Sequence, residues 1–470
     1  MTTALPRSAL EAASEAPAPG RLVVVVGLGA SGVAAAELLL ARGAAVLLTD
    51  RAQEDRLSPE ARALLGRPGV TGLFGSHVGL PWALADLVVV SPGVPGFPAL
   101  STYAETGRVI GELELAWEAL ADIPTAAIGG TNGKSTTTEL VGAMLRDEGK
   151  RAFVGGNLGT PLSTIVPRDA QDTTSPADVL VLEVSSFQSE RMSTFRPRVA
   201  ALLNITADHL DRYPTFSAYA AAKGRMFAAM TEDDVAVVPY GDVPCQREAE
   251  RGEARIVTFG TDGDLVVQRD AFVDKLRGVT YSRRDFRLQG GHNATNAAAA
   301  IAVASTLGAG PEAIRTALDG FAGLPHRMAL VAVVDGVRFY DDSKGTNVGA
   351  SVTALESLQE PKAVLIAGGR DKRGGYTDLV NALSKKGRAV VAIGEAAGLI
   401  VAAARDVVPA HRAATMEAAV QKAKELAEPG DAVLLSPACS SYDMFRDYKH
   451  RGETFAAAVL ALTSKGPASP

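Results

Sequence analysis

Cysteine is nearly missing, since Cys245 and Cys439 are the only two in 470 residues. Two thiols give no disulfide framework and no cysteine-based zinc site, and they suit a reducing cytosol. An excess of basic charge is also missing: the net charge is −6, so the chain has no electrostatic footprint for nucleic acid or an anionic membrane. No apolar run approaches the ~18 residues that a bilayer span needs. Residues 1–20 are rich in Ala, Pro and Glu without a continuous apolar stretch, and are expected to be a disordered tail and not a signal peptide. Internal repeats are absent. What remains is an ordinary soluble balance, 47% hydrophobic and 21% charged, in a chain long enough for roughly three domains with cores of their own.

The most informative stretch is Ile128-Gly-Gly130-Thr131-Asn132-Gly133-Lys134-Ser135-Thr136. An apolar run at 124–128 precedes it and a helix-like segment follows, so a buried strand, a glycine-rich turn and a helix start succeed one another. These are the parts of a nucleoside triphosphate cradle. The glycines let backbone N–H groups close on phosphate oxygens. Lys134 can pair with the outer phosphates, and the Ser135 hydroxyl can ligate Mg²⁺. The spacing departs from the strict pattern, because Ile128 stands six residues before the lysine where glycine is usual. The stretch reads as an ATP or GTP site.

Upstream, an apolar strand at 21–26 meets Gly27-Leu-Gly-Ala-Ser31-Gly32, then a helix at 33–42 and a second strand at 45–49 ending at Asp50. The acid lies 18 residues past the last glycine, which completes a dinucleotide-type βαβ unit, Rossmann-like in character. Asp50 suits a ribose hydroxyl of NAD or of another nucleotide, and the segment alone does not name the ligand. Downstream, a buried strand from 178 ends at Glu183, where such folds place a metal- or water-positioning acid; capping of the next turn is the plainer alternative. The strand at 200–205 exits into Asp208-His209-Leu-Asp211, which points to metal or phosphate contact. Lys223 lies on a helix-like segment at 217–230, and patterning alone reads it as a solvated helical lysine. Residues 246–290 carry no motif and read as strands and loops. Asn293 and Asn296 share a helix face and either read an adenine or cap the helix. Gly323-Leu-Pro-His-Arg327 reads as a hinge into strands alternating with helices, a second dinucleotide-like unit.

Taken in order, GTNGKST, Gly155-Gly-Asn157, EVSSFQ from Glu183, Asp208-His209, HNATNA, LPHR and DDSKGTN resemble the Mur ligases, which attach amino acids to a peptidoglycan precursor. The resemblance covers about residues 22 to 455. Within the family, TADHLDRYPTFSAYAAAK and the closing SPACSSYDMFRDYKHRGETF look like the D-glutamate-adding branch. The fold it implies is α/β in three domains: a Rossmann-like UDP-substrate domain at 21–112, a central P-loop ATPase-like domain at 113–323, and a Rossmann-like amino-acid domain at 324–470. The activity it implies is ATP-dependent joining of D-glutamate to UDP-N-acetylmuramoyl-L-alanine with Mg²⁺. The resemblance puts Gly130 to Thr136 and Glu183 on the triphosphate and its metal, and His209 with Lys223, as a carbamate, on a second metal. Asn296, Arg327 and Asp342 would hold adenosine and the γ-phosphate. Ser31, Asp50, Arg51, Gly93 and Asn157 would meet the UDP-substrate, and Thr346, Lys372, Ser441 and Tyr448 would meet D-glutamate. Gly129 stands where many relatives have threonine, and Tyr448 where phenylalanine is common. The chain is expected to act as a cytoplasmic monomer. A different amino-acid ligase of the superfamily, a dinucleotide oxidoreductase carrying an ATPase domain, and a nucleotide switch are the rival readings.

Overall fold

The computed structural model describes residues 20–464, except 78, 170–173, 210–211, 285, 287, 289 and 372–374. The expected tail, apart from Gly20, lies outside the described residues, and so does Lys372. Three α/β units succeed one another along the chain, each built on its own sheet.

In the first unit β1 (Leu22–Val26), β2 (Ala45–Asp50), β3 (Val70–Phe74), β4 (Leu87–Val90) and β5 (Val109–Gly111) form a parallel sheet in the order β3-β2-β1-β4-β5. Val23 to Val26 are all buried, as in a strand covered on both faces. The strand order reverses beside β1, and folds of this kind receive a ligand in the crevice at the carboxyl ends of the strands at such a point, here β1 and β4. Gly27 turns the chain with φ +87°. Helix α1 (Ala30–Ala41) then starts three residues before the expected 33–42, inside the glycine motif. That early start explains Gly32, where a Cβ would lie 1.9 Å from the Gly27 carbonyl oxygen.

Helix α2 (Glu112–Glu118) leads into the second unit and pushes two buried carboxylates into it. Glu112 accepts from the Ser163 amide at 2.7 Å, and Glu114 from the Ser193 and Thr194 amides at 3.0 and 2.5 Å. One apolar cluster runs from Val23 through Leu113 and Trp117 to Leu180 and Phe195, so the first two units share a core.

The second sheet contains β6 (Thr125–Gly129), β7 (Ala152–Gly156), β8 (Val179–Glu183), β9 (Val199–Leu202), β10 (Val235–Pro239), β11 (Arg255–Gly260), β12 (Leu265–Val267), β13 (Ala271–Asp274) and β14 (Val279–Ser282). Its order is β14-β13-β12-β11-β10-β9-β6-β8-β7, parallel except at β12/β13 and β13/β14. The helices that matter for function are α3 (Lys134–Asp147), α4 (Phe216–Gly224) and α5 (Gly291–Thr306). The expectation of strands and loops alone at 246–290 needs correcting, because a helix over Val243–Ala249 reaches into that region. The Asp242 side chain caps it, accepting from the Cys245 amide at 3.0 Å. At Gly129, a Cβ would meet the Met226 methyl at 2.8 Å, so a threonine here would require Met226 to move.

The third sheet contains β15 (Ala329–Val334), β16 (Val337–Asp341), β17 (Ala363–Gly368), β18 (Gly387–Ile393), β19 (Ala410–Arg412) and β20 (Ala432–Leu435), in the order β15-β16-β20-β17-β18-β19. Only β15/β16 is antiparallel. Two apolar clusters made of residues from this unit cover its faces, and α6 (Tyr448–Ser464) closes it against β15 and β16. Polar contacts join it to the second unit. Among the described residues no helix is long and apolar enough to cross a membrane.

Candidate active site between the second and third units

Between β6 and α3, Gly130 and Gly133 take φ +142° and +86°, a backbone that turns the loop sharply and favours glycine. A Cβ on Gly133 would lie 2.3 Å from Asn296 Oδ1, so this glycine also lets α5 approach the loop. Asn204, two residues beyond β9, clamps the loop: its Oδ1 accepts from the Thr131 and Asn132 amides at 3.2 and 2.9 Å, and its Nδ2 donates to Asn132 O at 3.1 Å. Sequence reasoning passed over Asn204, whose partners lie 72 and 73 positions away. Lys134 opens α3 half-buried, and its Nζ donates to Gly130 O at 2.9 Å and Thr131 O at 2.8 Å. Ser135 is buried, and its Oγ accepts from Arg327 Nη2 of the third unit at 3.0 Å.

Glu183 ends β8 with 1% exposure. The capping alternative fails, because Ser185 and Gln188 form the capping box of the next helix. Asn157 Nδ2 donates to Glu183 Oε1 at 2.6 Å, while Oε2 is buried with no hydrogen bond. Burial raises the pKa of this carboxyl, but Lys134, Ser135, Asn157 and Lys344 together hold it below the ordinary value. An ionised, buried, unpartnered oxygen beside the Ser135 hydroxyl fits a hard divalent cation. Among the described residues no group of three or more His, Cys, Asp or Glu side chains converges on one point. A cation here would draw on one carboxylate, a hydroxyl and ligand phosphates, the usual manner for Mg²⁺.

The solvated reading of Lys223 is overturned. Only 4% of the residue is exposed, its Nζ donates to Gly130 O at 2.8 Å, and the ammonium lies 4.6 Å from the Tyr219 ring centre. Helix α4 turns this residue inward although alanines fill both of its faces, which is why patterning gave no signal. Burial, and then the Lys134 charge, push the Lys223 pKa well below that of a free lysine. His209 takes a left-handed φ of 54° and stands edge-on to Phe187 with ring centres 4.7 Å apart. Its Nε2 lies 3.6 Å from Asp208 Oδ2, and that oxygen also accepts from Asn347 Nδ2 at 3.2 Å. Asn347 Nδ2 reaches Asn132 Oδ1 at the same distance, 3.2 Å, which ties the third unit to the phosphate loop.

In the third unit Asp342 is buried against Ser436, whose Oγ donates to Oδ2 at 2.7 Å. Burial pushes the Asp342 carboxyl up to about 7, against the pull of Ser436 and Arg327. Lys344, which the sequence showed only as part of a motif, lies 3.9 Å from the Tyr448 ring centre. Burial lowers its ammonium to about 8 in spite of Glu183, with Arg327 and Lys134 adding to the fall. His326 and Ala438 take left-handed φ of 61° and 59°. Such strain in residues other than glycine collects at functional sites.

Many of these side chains line one cavity of about 450 Å³. Thr131 to Ser135, Asn157, Glu183, His209 and Lys223 line it from the second unit, and Arg327, Thr346, Ser441 and Tyr448 from the third. A smaller space of about 220 Å³ adjoins it, lined by Thr136, Asn293, Asn296, Arg327 and Asp342. Asn296 thus faces a cavity, and the helix-capping alternative fails because Gly290 is the N-cap of α5, with no side-chain cap. Phosphates in the larger space and a base in the smaller would suit a nucleoside triphosphate. Gly93 lines a third space, of about 1060 Å³, with Phe187, Arg212 and Tyr442. Ser31, Asp50 and Arg51 line none of the three. Asp50 instead accepts from the Leu28 and Ala52 amides at 2.8 and 2.9 Å, holding the glycine turn of the first unit.

Residues 21–111 match the profile described as Mur ligase MurD-like, N-terminal domain, residues 128–304 the Mur ligase middle domain, and residues 326–439 the Mur ligase, glutamate ligase domain. The UDP-N-acetylmuramoylalanine--D-glutamate ligase of Syntrophotalea carbinolica is 44% identical over 460 residues, 95% of this chain and 99% of that one. The enzyme of the same name from Desulfosudis oleivorans is 44% identical over 94% of this chain and 96% of its own. The crystal structure of MurF ligase from Thermotoga maritima in complex with ADP aligns with a TM-score of 0.60 at 19% identity, covering 96% of this chain and 97% of that one. UDP-N-acetylmuramate-alanine ligase from the same organism aligns at 0.58 and 19% identity, covering 94% and 99%. At such identities the structural matches speak for the fold alone.

Proposed function

Since this chain belongs to the Mur ligase family, we propose that it is the ATP-dependent ligase that joins D-glutamate to UDP-N-acetylmuramoyl-L-alanine in peptidoglycan precursor synthesis. The observation that carries this reading is the near full-length identity to ligases of that name, set beside a cavity in which Lys134, Glu183 and Arg327 converge. The domains are read as 21–112, 113–323 and 324–470, for UDP-substrate, ATP and amino acid, in a cytoplasmic monomer.

A carboxylate is a poor acyl donor. The alanyl carboxylate therefore takes the γ-phosphoryl of ATP, releasing ADP and leaving an acyl phosphate. Two anions must approach for that step, and Lys134, Arg327 and Lys344 supply the positive charge around them. Arg327 crosses from the third unit to Ser135, so the constellation is complete only when the two units dock. Mg²⁺, when bound, adds charge neutralisation at the phosphates, and Glu183 Oε2 with Ser135 Oγ are the protein oxygens that would hold it. The neutral amine of D-glutamate then attacks the acyl carbon, a tetrahedral intermediate forms, and inorganic phosphate leaves as the amine loses a proton. Thr346, Ser441 and Tyr448 line the cavity from the third unit and meet the amino acid; the family resemblance assigns Lys372, outside the described residues, to the same substrate. Asn296 and Asp342 receive the adenosine, and Gly93 and Asn157 the muramoyl peptide.

The test is ADP release that requires both UDP-N-acetylmuramoyl-L-alanine and D-glutamate. Release with another amino acid or acceptor in their place would assign the chain to a different ligase. For the first unit, Asp50→Ala should raise KM for the UDP-substrate by roughly tenfold with the ATP dependence nearly unchanged. The change removes the acceptor that orders the Leu28 amide at the crevice. Weakened ATP use with a normal acceptor KM would mean that the first and second units are misassigned.

A further inference from the structure

Arg451, in the first turn of α6, is a fully buried guanidinium that the reaction described above does not use. Its three hydrogen bonds all end on neutral oxygens: Nε donates to Ser343 Oγ at 2.9 Å, Nη2 to Ser343 O at 2.8 Å, and Nη1 to Cys439 O at 3.1 Å. Burial lowers its pKa to about 10, although Cys439, Asp443, Asp341 and Asp342 lie near enough to favour the charge. A cation kept in such a place without an ion pair is expensive, and its geometry shows what it secures.

Three loops leave the carboxyl ends of neighbouring strands of the third sheet, and Arg451 is hydrogen-bonded to two of them and lies beside the third. Ser343 belongs to the loop after β16, which carries Lys344 and Thr346. Cys439 belongs to the loop after β20, two residues before Ser441. The loop after β17 passes so close that a Cβ on Gly369 would lie 3.2 Å from Arg451 Nη1. That loop continues through Arg370, whose amide donates to Ser440 O at 2.9 Å. Ser343 Oγ also donates to Tyr448 O at 2.8 Å, which ties the start of α6 into the same knot. The neighbouring Gly452 is required by the packing, because a Cβ there would meet His326 Nδ1 at 2.2 Å.

We propose that Arg451 is the positioning residue of the amino-acid pocket, a buried fork that sets the spacing of the three loops that receive the carboxylates of D-glutamate. This rests on the ligase reading given above. The nucleotide side has supports of its own: Asp342 is held by Ser436 Oγ at 2.7 Å and donates its amide to Leu435 O at 2.8 Å. Displacing the fork therefore acts first on Thr346 and Ser441. Lysine is no substitute, because a point donor cannot serve acceptors on two loops in the directions of a planar guanidinium.

The experiment is steady-state kinetics on Arg451→Lys and Ser343→Ala in the full-length enzyme, with folding checked by circular dichroism and thermal denaturation. Arg451→Lys should raise KM for D-glutamate by roughly tenfold or more, with KM for ATP and for the UDP-substrate within about threefold of the parent. Ser343→Ala removes one acceptor and leaves the arginine in place, so it should shift the same constant in the same direction, by less. If Arg451→Lys fails to fold, Ser343→Ala decides by the same split. An unchanged D-glutamate KM would overturn the proposal. So would a parallel loss in all three constants, which marks a general brace. Failure of the underlying reading is distinguishable, because the unaltered enzyme would then release no ADP in response to D-glutamate.

Discussion

Lys134→Ala is expected to lower kcat for ADP release by roughly 10² or more, about 2.7 kcal/mol of transition-state stabilisation. The ammonium opens α3 at the mouth of the phosphate loop and donates to the Gly130 and Thr131 carbonyls. A triphosphate offers charged oxygens in place of those neutral ones, and charge-assisted hydrogen bonds are roughly twice as strong as neutral ones. The gain is greatest as charge shifts onto the β-phosphate during transfer, so the loss should fall on kcat more than on KM for ATP. Stability should change little, because the backbone of the loop is held by Asn204 and not by the lysine. Measured kcat and melting temperature together check this. Near-normal turnover in a folded variant would remove Lys134 from the reaction.

The same substitution bears on a second residue. The Lys134 charge is among the causes that lower the Lys223 pKa, and both ammonium groups donate to the Gly130 carbonyl. Lys134 was legible in the chain because its signal is local: a strand, a glycine turn and a helix start within a dozen residues fix what its side chain can do. The alternation of strands and helices was legible for a similar reason, since buried parallel strands read as unbroken apolar runs. Lys223 was not legible from patterning. Its inward direction depends on how α4 docks against the helices at Ser186–Ser189 and Val243–Ala249, and a helix rich in alanine has no apolar stripe to reveal it. Asn204 and Arg451 were hidden for another reason. Each satisfies backbone groups that are distant in sequence, and an asparagine after a strand or an arginine on a helix carries no mark of such a task. The Gly32 position shows the converse, where a motif glycine read as a ligand signature is explained by close packing on Gly27 before any ligand is considered.

Lys223→Arg should be inactive, with kcat lowered by roughly 10² or more, although it keeps both charge and length. An ammonium has three donors and no lone pair, so in the form seen here the side chain cannot ligate a cation. Its surroundings favour the neutral amine, because burial and Lys134 both depress its pKa. A neutral amine adds CO₂ at carbon and releases one proton, and the product is a carbamate with two hard oxygens. That change turns a repulsion between Lys134 and Lys223 into an attraction, which favours the product in the folded protein. A guanidinium stays protonated at any working pH and cannot follow this course. Lys223→Ala should be impaired to a similar degree. It leaves a space beside Gly130 and Tyr219 that a small carboxylic acid at high concentration can enter, and that acid should restore part of the rate. Arginine fills the space and should not respond. Carbon-13 bicarbonate supplies a readout independent of turnover: the unaltered enzyme should show a carbamate carbon resonance that both variants lack. Full activity in Lys223→Arg, or an active enzyme with no labelled carbon bound, would leave Lys223 as a buried ammonium whose task ends at the Gly130 carbonyl and the Tyr219 ring.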